Sequence, residues 1–237
     1  TLISPVNEKE HLWFRGQKNA EWHLIPGIQR CKIDNVRERE LTNDFRIRAS
    51  RVMEKAPNKN DFPSWMAHMQ HHGLPTRMLD WSESPLIAAF FALDTKYEKE
   101  EVEDAAIWVL RPGKLNKSEI NDEHIYPLDS GTAARMLQTA FKEKADRDKT
   151  DKDKEVEDKI LACYSVQNDL RMYSQQSCFT IHNTQRELTE IIDAENILYK
   201  YVIPAGARQH IRDELKILGI TTKFIYPDLD HIVHDIL

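Results

Sequence analysis

The sequence lacks any apolar run near the roughly 20 residues that a membrane-spanning helix needs, so no membrane partner is expected. Only three cysteines occur in 237 residues, Cys31, Cys163 and Cys178. They are odd in number, far apart and without paired metal spacing, which argues against a disulfide framework and for a reducing, cytoplasmic setting. Nothing near residue 1 reads as a signal peptide. A Walker phosphate loop, a Rossmann glycine fingerprint and a Gly-x-Ser-x-Gly elbow are all missing. No cysteine has a context for nucleophilic work, and there is no internal repeat. The formal net charge of -6 argues against a broad nucleic-acid surface while leaving room for a local basic patch.

What is present is a globular composition, 41% hydrophobic and 30% charged, long enough for one large domain. Leu12-Trp13-Phe14 reads as a short strand with Arg15-Gly16-Gln17 at its end, Gly16 leaving room for a ligand or a second backbone. Trp22 to Gly27 reads as extended and is followed by Arg30. Leu41, Phe45, Ala49, Val52 and Met53 give an amphipathic helix over 36–56 with a charged, solvated outer face. Asp61 caps a helix carrying Trp65, Met66, Met69 and His72, which Gly73 ends. Ser84-Pro85 starts a helix that is apolar nearly all round and therefore buried. Residues 96–104 form a charged loop, 105–110 a buried strand and 133–141 a modest helix. Lys142 to Lys159 reads as a charged insertion or an extended helix. Ile160, Leu161, Tyr164 and Leu170 fall at helical spacing. Strands are predicted at 177–182, 197–203 and 223–226, with helices at 207–218 and 227–237. The interleaving predicts a mixed α/β (α+β) domain around one central sheet of short strands with packed helices.

The densest chemistry lies in Gln70-His71-His72-Gly73-Leu74-Pro75-Thr76-Arg77-Met78-Leu79-Asp80-Trp81. With Ser84-Pro85-Leu86 and Phe90-Phe91-Ala92 behind it, and Phe14-Arg15-Gly16-Gln17 before it, this segment resembles the FRG domain family, named for its Phe-Arg-Gly motif. Trp22, Leu24, Pro26 and Arg30 also fit. Gln175-Gln176-Ser177-Cys178-Phe179 is similar to a later family pattern, with Ser177 where Gly is expected, and Ile203-Pro204 and Tyr226-Pro227-Asp228-Leu229 are similar too. The resemblance implies a single FRG domain over residues 1–237. It further implies a bacterial or phage setting, often near defence and toxin-like genes, and leaves the activity open.

Several residues are candidates for function. Arg15 suits a phosphate or carboxylate, the alternative being a structural pair with Asp80. His68 and His72 share a helix face, but no Glu follows the first as in a zincin, so no metal is assigned. A single histidine as acid, base or ligand donor is the stronger reading, with packing as the alternative. Arg77 either pairs with Asp80 or binds an anion while Asp80 orients a histidine and Trp81 stacks on a ring. Arg15, His72 and Asp80 are therefore the catalytic candidates. Gln17, Arg30, His71, Thr76, Arg77, Trp81, Gln175 and Gln176 are the ligand-binding candidates, the two glutamines having a plain surface turn as their alternative. Both Arg15→Ala and His72→Ala are expected to abolish function and spare the fold.

Three functions remain open. A strand ending in aromatic-Arg-Gly, followed by Pro-Thr-Arg and a small-residue helix, looks like the layout of ADP-ribosyltransferases. That implies NAD as substrate, Arg15 on its diphosphate, Trp81 or a tyrosine on nicotinamide, and a protein or RNA acceptor. The catalytic Glu of such an enzyme has no diagnostic motif here; Glu187 and Glu190 are the nearest candidates. The alternatives are a sensor of a nucleotide or phage protein, and a metal-independent ribonuclease-like toxin using His71 or His72 with Arg15 and Arg77. No cofactor is assigned with certainty.

Overall fold

The computed structural model describes residues 10–94, 103–143, 156–166 and 170–227. The readings for 1–9, for most of the 96–104 loop, for the bulk of the 142–159 insertion and for the terminal helix fall outside them. Seven strands form one sheet: β1 (Trp13–Gln17), β2 (Met78–Ser82), β3 (Ala105–Leu110), β4 (Tyr126–Pro127), β5 (Ile160–Tyr164), β6 (Ser177–His182) and β7 (Leu198–Ile203). Their spatial order is β4-β5-β6-β2-β1-β3-β7. All neighbours are antiparallel except β4 and β5. The described helices are α1 (Gly27–Arg30), α2 (Asn35–Ala49), α3 (Phe62–His71), α4 (Pro85–Leu93), α5 (Pro112–Ile120), α6 (Gly131–Gln138), α7 (Leu170–Ser174), α8 (Ala194–Ile197), α9 (Arg208–Ile217) and α10 (Thr222–Ile225). The mixed α/β expectation, one sheet with packed helices, holds.

Strand alternation sorts the core into two faces. On one face Met78, Leu161, Cys163, Phe179 and Ile181 meet Trp65, Met66 and Met69 of α3 and Met136 and Leu137 of α6. Each such side chain, fully buried, contributes about 1.5–3 kcal/mol. On the other face Trp13, Leu79, Trp81, Leu110, Ala162 and Cys178 pack with Leu115 of α5 and with Leu188, Ile191 and Ile197. The helix starts follow the sequence signals: Asp61 accepts from the Ser64 N–H and Ser84 from the Ile87 N–H. Gly73, at φ +79°, takes the left-handed turn that ends α3.

Gly16 has a physical reason of its own. A Cβ there would collide with the Ala88 carbonyl oxygen and the Ala92 nitrogen of α4. The close approach that its position predicts is therefore made by a helix backbone. Ala88 and Ala92, both buried, keep that helix low enough to lie across the strand.

Four readings need correction. Residues 160–164 are strand rather than helix, because Ile160, Leu161, Ala162 and Cys163 are all buried in a strand covered on both faces, and spacing alone cannot tell such a run from a helix. The Thr222–Ile225 segment is one turn of helix capped by the Thr221 side chain, not a strand. Arg15 and Gly16 lie within β1 rather than at its end. The helix starting at Asn35 stops at Ala49, and its charged face is not all solvated, since Glu38 is only 3% exposed. Helix α5 and strand β2 were not anticipated.

Candidate functional site

β1 and β2 are neighbours at the middle of the sheet, yet they pair at one position, Phe14↔Ser82. Beyond it β1 stays with β3 through Gln17↔Ala106, and β2 stays with β6 through Met78↔Ile181. The two halves of the sheet thus part between their central strands. A cavity of about 960 Å³ occupies this opening, a volume suited to a sizeable small-molecule ligand. Its walls take Phe14, Arg15, Gly16 and Gln17 from β1, Asp80, Trp81 and Ser82 from β2, and Gln70 and His71 from α3. The loop carrying Trp22 and His23 and the segment carrying Arg171 and Gln175 complete its lining.

Arg15 is the central cation. Its side chain is 17% exposed, its Nη1 donates to the Asp80 carbonyl oxygen at 2.7 Å, and the Asp80 carboxylate stands 4.0 Å away. Its buried Nε has no hydrogen-bond partner. Burial pulls its pKa down to about 10, Asp80 opposing the shift and Arg30 adding to it. A buried cation with a spare donor is costly unless an anion meets it. Asp80 is in turn oriented by α3: Gln70 Nε2 donates to Asp80 Oδ1 at 2.8 Å, and the Thr76 hydroxyl donates to Gln70 Oε1. Thr76, Gln70, Asp80 and Arg15 form one relay from α3 to β1.

The charge of the lining differs from that of the chain. Arg15, Lys18, Arg30, Lys32 and Arg171 line the cavity against the carboxylates Glu21 and Asp80. A net-acidic protein carries a locally cationic cleft, which favours an anionic ligand. Among the described residues no cluster of three or more His, Cys, Asp or Glu is arranged to hold a metal ion.

Of the residues singled out in the sequence, Arg15, Gln17, Arg30, His71, Asp80, Trp81 and Gln175 all line this cavity. Four do not. His72 is exposed outside it, its ring 6.5 Å from that of Phe45 and 4.9 Å from that of His71. Thr76 is buried and acts through Gln70. Gln176 is a turn residue at φ 47° whose carbonyl accepts from the Glu83 N–H. Arg77 is the largest correction. It is 4% exposed and clamped by Glu38, with Nε to Oε1 at 2.9 Å and Nη2 to Oε2, while Nη1 meets Thr139 and Asn183. Its partner comes from α2, and neither Asp80 nor a cleft anion is its match. It lines a separate polar cavity of about 230 Å³ together with His182.

Two further roles change. Trp81 borders the cleft, but the residue is only 3% exposed and its Nε1–H donates to Thr180 Oγ1 at 3.1 Å, so it is a core residue and not a stacking platform. Gln17 spends its amide on scaffolding: Oε1 accepts from Trp108 Nε1 at 2.7 Å and Nε2 reaches the His23 carbonyl at 3.4 Å. Sequence reasoning had not assigned Trp22, which is 52% exposed on the cavity wall, nor Gln70, Lys18, Lys32 and Arg171. An aromatic left exposed beside a histidine in a non-regular segment is the signal that was available for Trp22.

No curated protein and no solved structure matches the chain. One family model does match, over residues 10–101, the segment that supplies β1, β2, α3 and α4 and so most of the cleft walls. The resemblances at Gln175-Gln176, Ile203-Pro204 and Tyr226-Pro227 lie outside that span. Residues 10–101 match the model of the FRG domain family.

Proposed function

We propose that the cleft between β1 and β2 binds a nucleotide of the NAD type, and that the chain is an ADP-ribosyltransferase-like effector of a bacterial anti-phage or toxin system. The observation that carries this reading is Arg15, half-buried in the cavity wall with its nearest carboxylate 4.0 Å away and with further cations along the same lining. A diphosphate would give the guanidinium a closer anionic partner than Asp80, and charge-assisted hydrogen bonds of this kind are the strong ones. Trp22 offers an exposed ring for a base or for nicotinamide. Gln175, at the far wall, offers an amide although its Nε2 also reaches the Ile225 carbonyl at 3.2 Å. Asp80, 57% exposed and oriented by Gln70, is a carboxylate available to a sugar hydroxyl or a developing cation.

One observation favours a binding-only reading. Glu187, the nearest sequence candidate for a transferase carboxylate, does not line the cavity; it is turned onto His23 and the Leu24 N–H. The experiment separates the two. The purified chain is incubated with NAD and lysates of uninfected and phage-infected cells, and mass spectrometry follows free nicotinamide and added ADP-ribose. Thermal shift with NAD and with ADP-ribose is read in parallel, since a ligand that binds only the folded state raises its melting point. The transferase reading expects nicotinamide release that Arg15→Ala abolishes. A thermal shift without turnover supports a sensor, and neither signal removes the nucleotide altogether.

A further inference from the structure

His23 stands on the cavity wall with its side chain 77% exposed. Its Nδ1 lies 2.8 Å from Glu187 Oε2. Glu187 is only 19% exposed and is fixed from several sides: Oε1 accepts from the Leu24 N–H at 2.7 Å, and the side chain takes part in a capping box with the backbone of Glu190. Burial pushes the Glu187 carboxyl up, but the Leu24 N–H, the His23 ring and the Thr189 side chain outweigh it, so the group stays below its ordinary range. It is an acceptor-only partner, and it therefore holds the His23 proton on Nδ1. The other ring nitrogen, Nε2, then presents a lone pair, with no hydrogen bond to a described residue. An ion pair that only strapped two loops together would not need an exposed ring on the wall of a ligand-sized cavity.

We propose that His23, oriented by Glu187, is the proton acceptor of the cleft and activates a hydroxyl nucleophile against an NAD-type substrate. This rests on the transferase reading above. The hydroxyl oxygen of the acceptor, or of water, forms a bond to the ribose anomeric carbon. The bond from that carbon to the nicotinamide nitrogen breaks, its electron pair leaving with nicotinamide. The hydroxyl proton passes to His23 Nε2, and the resulting imidazolium, stabilised by Glu187, returns it to solvent. Arg15 holds the diphosphate throughout. Glu187 is a positioning residue and touches no substrate.

The test uses the intact chain, ADP-ribose as the binding probe and nicotinamide release as the rate. His23→Gln is expected to slow release by at least about 100-fold, within the range for general-base catalysis, with ADP-ribose affinity within about threefold of wild type. Glu187→Gln gives a second readout. Its amide oxygen still accepts from the Leu24 N–H while its NH₂ donates to His23 Nδ1, which drives the ring proton to Nε2 and blocks the base. ¹⁵N NMR of the His23 ring should show the proton on Nδ1 in the wild type and on Nε2 in Glu187→Gln, and release should fall with the switch. The ring measurement on the wild type stands even if a variant fails to fold. A His23→Gln chain that turns over at the wild-type rate, or loses ADP-ribose binding together with rate, overturns the proposal, as does a wild-type ring protonated on Nε2. Wild-type binding without any nicotinamide release removes the transferase reading and the proton acceptor with it; normal wild-type release with an unaffected His23→Gln removes the proton acceptor alone.

Discussion

Arg15 and Arg77 come from the two motifs, and the sequence presents them alike, each as an anion-binding candidate with Asp80 as its alternative partner. The structure gives them opposite environments. Arg77 is closed in: both side chains of its pair with Glu38 are 5% exposed or less, and Thr139 and Asn183 take Nη1. Arg15 is left open: its Nη1 meets one backbone carbonyl, the nearest carboxylate is 4.0 Å away, and the side chain lines a large cavity. The arginine whose donors the protein consumes holds the fold; the one that lines the large cavity with a single close protein acceptor is open to a ligand. The accounting of donors, not the residue type, separates them.

The contrast breaks most visibly at Arg77. Arg77→Ala strands the Glu38 carboxylate in the interior, which costs about 3–5 kcal/mol, so the urea midpoint should fall sharply or the chain should fail to fold. Pairing Arg77→Met with Glu38→Leu removes both charges and should recover most of the loss; if it recovers nothing, the Thr139 and Asn183 contacts carry the effect instead. Arg15→Ala is the opposite case. It should change unfolding free energy by under about 1 kcal/mol, because its main pair is long and borders solvent. It should weaken ADP-ribose or NAD by about 10–100-fold, the worth of a charged hydrogen bond of about 1.5–3 kcal/mol. Equal losses of stability for the two variants would dissolve the distinction.

The sequence carried the frame well because it was written in local signals. The Asp61 and Ser84 caps, Gly73 and the apolar turns of α4 are short-range, and all are where they were expected. The parting of β1 from β2 is not local: it depends on which strand each chooses as its second neighbour, and those partners lie in 105–110 and 177–182. The same limit hid the Glu38–Arg77 pair, 39 residues apart, behind a helix face that looked solvated. Trp81 failed as a stacking residue because a strand side chain's face follows from register, which a single sequence does not display. Residues such as Arg15, Asp80 and Gln175 were legible because their chemistry is conspicuous wherever the chain puts them.

His182, at the end of β6, donates its backbone N–H to the Arg77 carbonyl at 2.9 Å. It is 2% exposed, its Nε2 is 3.0 Å from Thr180 Oγ1 and its Nδ1 has no partner. It lines the small cavity beside Arg77. Burial lowers its pKa to about 3, and the charges of Arg15 and Arg186 add to the shift. The unfolded chain, with an ordinary histidine near 6.5, takes up the proton first. Stability from this group is therefore intact above about pH 6.5 and is lost as the pH falls toward 3, about 2 kcal/mol by pH 5. Denaturation midpoints across pH 4–8 should show that slope in the wild type and a shallower one in His182→Gln. Arg15→Ala should shallow it slightly, whereas an unchanged slope in His182→Gln would place the acid sensitivity elsewhere.

The smallest effect is expected at His72, which the sequence placed beside Arg15 in importance. Its backbone ends α3, with the His72 N–H bonded to the His68 carbonyl at 3.0 Å, and alanine keeps that bond. Its side chain is exposed and borders neither cavity. The ring contacts with Phe45 and His71 are at the surface, where substitutions usually stay within about 0.5 kcal/mol. His72→Ala should therefore match the wild type in melting point, in ADP-ribose affinity and in nicotinamide release, while His71→Ala, one residue earlier on the cavity wall, should weaken binding. A His72→Ala chain that loses binding as Arg15→Ala does would mean that the cleft extends past α3, and would move the boundary between the ligand-facing and the structural parts of the motif.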